Sequence, residues 1–336
     1  MRFYQYLPWL ASQGIQVHTA ELLDNNYLRT LYCRGHRNWT VVVSSYLRRI
    51  RDLAKSVHFD LIWIEAEVLP WLPAWAEYWL SWKKIPYIVD YDDAAFHRYD
   101  LHGYRAIRWI LGRKIDTVMQ KATVVVAGNE YVARRAISAG ASRVEVLPTV
   151  VDLRRYPVCL KPRSTTYVIG WIGSPSTAGY LTLLKNTLER LSKTDKVLLR
   201  ICGAGPVHWQ NVNTESVPWS EETEVQTLQA FDVGIMPLPD TPWANGKCGY
   251  KLVQYMACGL PVVASPVGAN VQIVHHSVNG LLARSQDEWF EALHFLRSEP
   301  EAGASMGTAA RKSIEDRYCL SVTAPRLAEL LLASAR

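Results

Sequence analysis

Short apolar runs alternate with segments of helical period along this chain, and the alternation occurs twice. The predicted strands are residues 14–20, 60–64, 86–89, 123–127, 144–147, 167–172, 197–202, 233–236 and 262–264. The predicted helices between them include residues 41–56, 70–82, 104–120, 130–139, 180–191 and 222–230. Two such runs without long repeats predict an α/β fold class, with two doubly wound, Rossmann-like domains.

The length of 336 residues also fits two domains, at a prior of about 150 residues each. A polar segment punctuated by prolines follows Pro148 and predicts a linker. We expect an N-terminal domain at 1–150, a linker at 151–165, a C-terminal domain at 166–318 and a final helix at 319–336. Doubly wound folds bind ligands at the carboxyl ends of strands, so the cleft between the domains is the predicted site.

The charge of the chain is uneven. The net charge is +6, of which residues 1–150 carry +5 (19 Lys and Arg against 14 Asp and Glu) and the remainder +1 (18 against 17). A basic first half indicates an anionic partner, and we expect an anionic membrane surface or a lipid-phosphate acceptor. No basic run or nucleic-acid motif occurs, so no nucleic acid is expected.

The six cysteines are scattered, without a CxxC pair, which indicates reduced thiols and no metal site. No apolar run approaches the 18 to 20 residues of a spanning helix, and no secretory signal is present. We therefore expect a cytoplasmic protein, either soluble or peripheral on the inner face of the membrane.

One stretch, KCGYKLVQYMACGLPVVASPVG at 247–268, predicts a helix, a tight turn and a buried strand. Lys247 and Lys251 lie before or at the start of the helix, where backbone N–H groups and the helix dipole already favour an anion. A cationic helix start beside a parallel-type strand suits a ligand that carries a diphosphate.

This stretch resembles the donor-binding segment of the retaining nucleotide-sugar glycosyltransferases of family 4, which have the two-domain GT-B fold. The resemblance covers nearly the whole chain. It also includes VDYDDAAFHRYD (89–100), VVVAGNEYVARRA (124–136), VEVLPTVVD (144–152), IGWIGSPST (169–177) and FDVGIMPLPD (231–240). It implies retaining transfer of a sugar from a nucleoside diphosphate, with no bound catalytic metal and no cofactor besides the sugar nucleotide. Lysines and helix-terminal N–H groups would then stabilise the departing diphosphate.

The chain departs from the family pattern at the donor site. The family's two glutamates, eight positions apart, correspond to Gly246 and Gln254. Its frequent basic pair is replaced by GSPST at 173–177, whose N–H groups and hydroxyls could cradle a phosphate. The resemblance assigns the following residues to the donor site: Gly173, Ser174, Ser176, Trp219, Lys247, Gly249, Tyr250, Lys251 and Gln254. A solvated helix lysine is the alternative for Lys251, an ordinary loop charge for Lys247, and a packing role for Trp219.

A second candidate site is the acidic segment after the strand at 86–89. Asp92 and Asp93 are expected to bind hydroxyls of the sugar or the acceptor, with His97 and Arg98 near an acceptor phosphate. Alternatively, these acids cap the next helix and pair with Arg98 or Arg105. Asn129 and Glu130, which open a later helix, are candidates in the same way, and capping alone is the alternative for them.

Four tryptophans, at positions 71, 75, 79 and 82, share one face of the predicted helix 70–82 and precede Lys83 and Lys84. Core packing against the sheet is one interpretation of this face. The other is an interfacial anchor, with indoles at the level of lipid headgroups and lysines on anionic lipid.

The amino end is unusual for the predicted fold. Residues 3–13 predict a helix, capped by Gly14, where a central strand is expected. Compared with the family, about twenty residues, including the first strand, are missing from the front of the chain. An open or anomalous first sheet beside an intact second domain is therefore expected.

Three functions remain open at this point. The first is a glycosyltransferase that acts on a saccharide or lipid-linked acceptor, as in polysaccharide biosynthesis. The second is a GT-B nucleotide-sugar epimerase or hydrolase, which turns over without an acceptor. The third is a non-catalytic GT-B-like partner subunit, which the replaced glutamates favour.

Overall fold

The computed structural model describes residues 2–24, 27, 38–158 and 165–335. The chain divides into two compact units. The N-terminal unit comprises Tyr6–Leu147 and Ala324–Arg336, and the C-terminal unit comprises Met1–Gln5 and Pro148–Thr323. The final helix, Leu320–Ser334, therefore begins in the C-terminal unit and ends in the N-terminal one.

The N-terminal unit contains a four-stranded parallel sheet of order β1-β2-β3-β4. The strands are β1 (Ile62–Glu65), β2 (Tyr87–Tyr91), β3 (Val124–Ala127) and β4 (Val144–Val146). Every residue of β2 and β3 is buried, as expected for central parallel strands, and this includes Asp90 of β2. The helices of this unit are Leu7–Ser12, Trp39–Lys55, Trp75–Trp82, His97–Asp100, Arg105–Leu111, Lys114–Lys121 and Glu130–Ser138.

The C-terminal unit contains a six-stranded parallel sheet of order β10-β9-β8-β5-β6-β7. Its strands are β5 (Tyr167–Ile172), β6 (Val197–Cys202), β7 (Thr214–Val217), β8 (Val233–Met236), β9 (Val262–Ala264) and β10 (Leu281–Leu282). The helices are Pro175–Ala178, Lys185–Thr194, Glu224–Gln229, Pro242–Asn245, Tyr250–Ala257, Asn270–Ile273, Gln286–Ser298 and Pro300–Arg317. Two parallel sheets with helical connections confirm the predicted α/β class, and the order of the six-stranded sheet reverses at β5, as in a doubly wound domain.

The predicted strand at 14–20 is wrong, because residues 15–20 have no regular secondary structure. Its apolar residues do not enter the core, and Val17 is 43% exposed. The helix predicted before it is confirmed, since Tyr4–Tyr6 and Leu7–Ser12 are helical and Gly14 follows with a φ of 77°. Tyr6 is buried and meets the ring of Trp63 in β1 at 6.4 Å.

β1 lies at an edge of the N-terminal sheet, and no further strand joins it within the described residues. β7 was not predicted, because its sequence TESV is polar. It lies at the edge of its sheet, where strands bury less of their surface.

The predicted helix at 70–82 begins only at Trp75. Trp71 has a φ of 62°, in the left-handed region, which no helix accommodates. Core packing is wrong for Trp75 and Trp82, which are 64% and 72% exposed, and only Trp79 packs partly against the core. The buried side of this helix consists of the smaller Ala76, Glu77 and Leu80.

Candidate active site

The order of the C-terminal sheet places a switch point at β5, which lies between β8 and β6. In open α/β sheets, ligands bind at the carboxyl ends of the strands at such a point. β5 runs directly into Gly173, whose N–H donates to the carbonyl of Cys202 at the end of β6 (3.0 Å). The predicted donor residue Gly173 therefore lies at the carboxyl edge of the two neighbouring strands.

Lys251 reaches this same edge from the first turn of the helix Tyr250–Ala257. A Cβ atom added to Gly173 would lie 2.7 Å from Cε of Lys251 and 2.6 Å from the indole ring of Trp171. The ammonium of Lys251 lies 5.1 Å from the centre of that buried ring. The side chain of Lys251 therefore lies against the end of β5, with its ammonium near the Trp171 ring. A fully solvated helix lysine would make neither contact.

The start of this helix is shaped by Gly249. Its φ is 74°, and an added Cβ would lie 2.4 Å from Cδ1 of Ile273, so only glycine fits without strain. Tyr255 then fixes the helix to both central strands. Its hydroxyl accepts from the N–H of Ile172 in β5 (2.9 Å) and donates to the carbonyl of Ile235 in β8 (3.4 Å).

Lys247 lies in the turn before the helix, half-buried, with its ammonium 5.8 Å from the centre of the Trp243 ring. Gly246, at the position of a family glutamate, is buried. Tyr250 is half-buried as well, and burial raises the pKa of its hydroxyl to about 12. The start of this helix and the turn before it therefore combine two lysines that lie near aromatic rings with a tyrosine that stays protonated at neutral pH.

A buried hydrogen-bond network explains the glutamine at position 254. The amide nitrogen of Gln254 donates to the hydroxyl oxygen of Tyr156 (3.3 Å), and that hydroxyl donates to Oε1 of Glu224 (2.7 Å). All three side chains are at most 3% exposed. The hydroxyl hydrogen of Tyr156 is used in the hydrogen bond to Glu224. Towards Gln254 the hydroxyl oxygen can therefore act only as an acceptor. An amide supplies the needed donor, whereas an ionised glutamate would supply none.

The same carboxylate orients Trp219. The indole N–H of Trp219 donates to Oε2 of Glu224 (2.7 Å), while the side chain is 45% exposed. Gly203, which follows β6 with a φ of 84°, brings this tryptophan close to Gly173. An added Cβ on Gly203 would lie 2.5 Å from the carbonyl oxygen of Gly173 and 3.2 Å from Cβ of Trp219. Gly173, Lys251 and Trp219 are therefore brought together at one edge.

The two predicted serines continue this edge beyond Gly173. The hydroxyls of Ser174 and Ser176 are 2.8 Å apart and exposed, at the start of the short helix Pro175–Ala178. Sequence reasoning missed Trp171, Tyr156 and Glu224, which support the lysine, the glutamine and the tryptophan. Tyr156 lies in the predicted linker and is 98 residues from Gln254, so no local signal links them.

In the N-terminal unit, Asp92 lies at the carboxyl ends of β2 and β3. Its Oδ1 accepts from the N–H of Asp93 (2.9 Å), and its carbonyl accepts from the amide of Asn129 (3.4 Å). Gly128 approaches so closely that an added Cβ would lie 2.7 Å from the Asp92 carbonyl oxygen. Asn129 also caps the helix Glu130–Ser138 by accepting from the N–H of Val132 (3.0 Å), which confirms its predicted capping role.

The ring of His97 forms hydrogen bonds with Asp100 and Tyr131. It is 8% exposed, and its Nδ1 and Nε2 lie 2.8 Å from Oδ1 of Asp100 and 2.9 Å from the hydroxyl of Tyr131. Arg98 pairs with Glu67 (3.4 Å) rather than with the acids after β2. Both ring nitrogens of His97 are therefore used inside the unit.

Within the described ranges, no three His, Cys, Asp or Glu side chains form a group suited to a metal ion. No helix in the described part of the chain is both long and apolar enough to cross a bilayer.

Comparison with known proteins gives a family match for each half of the chain. A family model described as Glycosyltransferase Family 4 matches residues 4–155, and one described as Glycosyl transferases group 1 matches residues 166–298. Between them the two matches span most of the chain. A search of the curated proteins finds no significant match.

Several solved structures share the fold. Sucrose-phosphate synthase from Thermosynechococcus elongatus superposes with a TM-score of 0.65 at 13% identity, over 86% of this chain and 77% of that one. HepE from Anabaena, in complex with UDP, gives 0.66 at 16% identity, over 85% and 82%. A glycosyltransferase from Rickettsia africae gives 0.65 at 14% identity, over 97% and 86%. Together with the two family matches, these likenesses identify the chain as a glycosyltransferase of the family 4 type with the GT-B fold.

Proposed function

We propose that this glycosyltransferase transfers a sugar, with retention of configuration, from a nucleoside-diphosphate sugar to a saccharide or lipid-linked acceptor. The observation that carries the proposal is the position of Lys251 against Gly173 at the switch point of the C-terminal sheet. A diphosphate bound there would meet an ammonium group and the N-terminal amides of the helix Tyr250–Ala257. Both favour negative charge.

The chemical role of this edge is to stabilise the leaving group. When the bond between sugar and diphosphate breaks, negative charge grows on the diphosphate oxygens. Preorganised cations and N–H donors stabilise such charge most effectively, because they need not reorganise during the reaction. We assign this role to Lys251 and Lys247, without a metal or a resident cofactor.

Trp219 would serve the nucleoside end of the donor. Its half-exposed ring is held by Glu224 beside Gly203 and Gly173, so a base could stack on it while the phosphates reach Lys251. HepE, which shares the fold, has been crystallised with UDP and with UDP-glucose. A uracil nucleotide is therefore the first donor to test.

Asp92 and Asp93 are the proposed contacts to hydroxyls of the sugar or acceptor, because both follow β2 at the carboxyl edge of the N-terminal sheet. The basic first half of the chain favours an acceptor with phosphate, such as a lipid-linked saccharide of polysaccharide biosynthesis. We propose that the enzyme meets this acceptor at the cytoplasmic face of a membrane.

The test is a screen of UDP- and GDP-sugars for nucleotide release, with and without saccharide and lipid-linked acceptors. It compares the parent with Lys251→Met and with the control Lys185→Met. Lys185 is an exposed lysine that also opens a helix of the same unit. Loss of a charge-assisted contact worth about 1.5–3 kcal/mol should lower kcat/KM about 10- to 150-fold for Lys251→Met only.

Three outcomes contradict the proposal. Nucleotide release that never yields a glycosylated product indicates a hydrolase, and no donor binding at all indicates a partner subunit. Equal kinetics for both lysine variants would remove Lys251 from the site. Product NMR of the anomeric proton tests retention, and an assay in EDTA tests the proposed independence of metal.

A further inference from the structure

The helix Trp75–Trp82 of the N-terminal unit presents aromatic rings where a polar surface is expected. Trp75, Tyr78 and Trp82 are 64%, 53% and 72% exposed. Their spacing of i, i+3 and i+7 places them in one stripe along the helix. We call these three residues the aromatic face. A solvent-facing stripe of a helix in a water-soluble domain is normally charged or polar, so this stripe requires another explanation.

The core leaves this helix no other orientation. Ala76, Glu77 and Leu80 form its buried side, and Leu80 and Glu77 are fully buried. The carboxylate of Glu77 accepts a hydrogen bond from the N–H of Val68 (2.8 Å). Rotating the helix to hide the aromatic face would expose Leu80 and break this buried bond. The aromatic face is therefore held outside by the packing beneath it.

Lysines surround the aromatic face. The ammonium of Lys83 lies 4.4 Å from the centre of the Trp82 ring, and that of Lys121 lies 5.4 Å from the centre of the Tyr78 ring. Lys84 follows Lys83 and is exposed. We call these three lysines the basic flank. Glu77 is the one acidic residue of the helix and is buried, so the exposed surface here carries positive charge.

A surface of indole and phenol rings beside lysines is complementary to the interface of an anionic bilayer. Trp and Tyr combine an apolar body with a polar tip and favour the headgroup level, while lysines are attracted by anionic lipid. We propose that the aromatic face and the basic flank dock the N-terminal unit on an anionic lipid bilayer. The biological reason for this docking rests on the proposed function, because a lipid-linked acceptor would lie in such a bilayer. The docking itself is argued from the surface alone.

A neighbouring helix adds to this surface. Arg105–Leu111 packs, like Trp75–Trp82, against the helix Lys114–Lys121. It exposes Trp109 at 88%, together with Arg105 and Arg108. Trp109 is thus a further exposed aromatic residue beside basic side chains, on the half of the chain that carries most of the net positive charge.

The experiment is co-sedimentation of the full chain with two kinds of vesicle, one of phosphatidylcholine alone and one of phosphatidylcholine with about one third phosphatidylglycerol, which gives an anionic surface. The parent should bind the anionic vesicles, and salt should weaken the binding. The triple variant Lys83→Gln/Lys84→Gln/Lys121→Gln should bind about a hundredfold more weakly, at about fivefold per lysine. Trp75→Ser/Trp82→Ser should bind at least about tenfold more weakly.

The matched control is Lys185→Gln/Lys193→Gln/Lys196→Gln, which removes the same charge from exposed lysines of the C-terminal unit. It should bind vesicles as the parent does. Circular dichroism and UDP binding by calorimetry, both without vesicles, show that each variant is folded and test the donor site separately. UDP binding without vesicle binding therefore refutes this inference alone.

Other outcomes also overturn the proposal. These are a parent that does not bind anionic vesicles, binding that both lysine triples weaken equally, and binding that survives loss of the two tryptophans. A parent that is dimeric by light scattering, becomes monomeric in Trp75→Ser/Trp82→Ser and ignores vesicles would assign the aromatic face to a second copy of the chain.

Discussion

The side chain of Lys251 lies so close to Gly173 that a Cβ atom on the glycine would be 2.7 Å from Cε of the lysine. The two residues are 78 positions apart in the sequence and belong to the start of a helix and the end of a strand. Their contact sets the distance between the cation and the backbone N–H groups at the switch point. Both elements must stay in place for the proposed diphosphate site to keep this geometry.

Gly173→Ala should therefore weaken donor binding. The added methyl group would also lie 2.6 Å from the buried Trp171 ring, so the ring or the lysine must move. We expect a loss of about 1–3 kcal/mol in unfolding free energy from overpacking, with a displaced Lys251. Calorimetry with UDP and thermal melts measure the two effects.

The control for this change is Gly179→Ala, because an added Cβ there meets no atom within 4 Å. It should leave both stability and UDP affinity close to those of the parent. Unchanged UDP affinity in Gly173→Ala would mean that the donor does not approach this edge.

Gln254→Glu restores the family's residue and should nevertheless destabilise the protein. The hydroxyl of Tyr156 already donates its hydrogen bond to Glu224, so it cannot donate one to a carboxylate at position 254. The new carboxylate would also lie close to the carboxylate of Glu224, with only the Tyr156 hydroxyl between them. A buried, unpaired charge of this kind costs about 2–4 kcal/mol. Urea unfolding at pH 7 measures it.

Gln226→Glu is the matched control, since Gln226 is exposed on the helix that carries Glu224. A loss below about 0.5 kcal/mol is expected there. If Gln254→Glu is as stable as this control, the buried network does not constrain position 254.

Asp92→Asn should reduce turnover without loss of stability. The amide oxygen of asparagine can still accept from the N–H of Asp93, so the local turn is kept while the charge is removed. We expect a fall of at least about tenfold in kcat, equivalent to 1.4 kcal/mol, with a Tm within 2 °C or so of the parent.

Asp93→Asn is compared in the same assay, to decide which acid contacts substrate. If both variants lose Tm in proportion to activity, the two acids are structural caps and do not bind substrate.

Glu77→Gln should change how stability depends on pH. Burial raises the pKa of Glu77 above its ordinary value of 4.5, so the folded protein disfavours the ionised form. The parent therefore loses the stability linked to this group as the pH rises from about 4.5 through the raised pKa. Glutamine does not titrate, so the variant should gain stability relative to the parent over that range.

Urea unfolding at several pH values from 4 to 8 tests this prediction. Glu130→Gln, at an exposed glutamate of a helix in the same unit, should show no comparable gain. A stability difference between Glu77→Gln and the parent that stays constant with pH would show that Glu77 is already protonated or paired throughout.

Much of the C-terminal unit was predictable from local patterns. β5, β6, β8 and β9 have the predicted bounds, because central parallel strands are buried on both faces and therefore read as continuous apolar runs. The position of Lys251 at a helix start was also predictable locally, because the apolar residues after it recur at helical spacing. The strand predicted at 14–20 failed, since a short apolar run forms a strand only where neighbouring strands supply its hydrogen bonds.

The network of Gln254, Tyr156 and Glu224 was beyond such reasoning. Its members lie 68 and 98 residues apart, and only the packed core brings their polar atoms within hydrogen-bond distance. The hydrogen bonds of His97 to Asp100 and Tyr131 were likewise not predicted, and its place near an acceptor phosphate stays a prediction.

The sequence by itself determined the fold class and the family, because these depend on apolar period and on motifs read along the chain; the role of Lys247 and Lys251 at a donor site stays a prediction. Only the tertiary structure decided which tryptophans face outward. More than one side of the helix Trp75–Trp82 carries apolar residues. The side that becomes buried is the one whose side chains pack against the neighbouring elements. Ala76 and Leu80 fit against the core beneath them, and this contact leaves Trp75 and Trp82 in solvent.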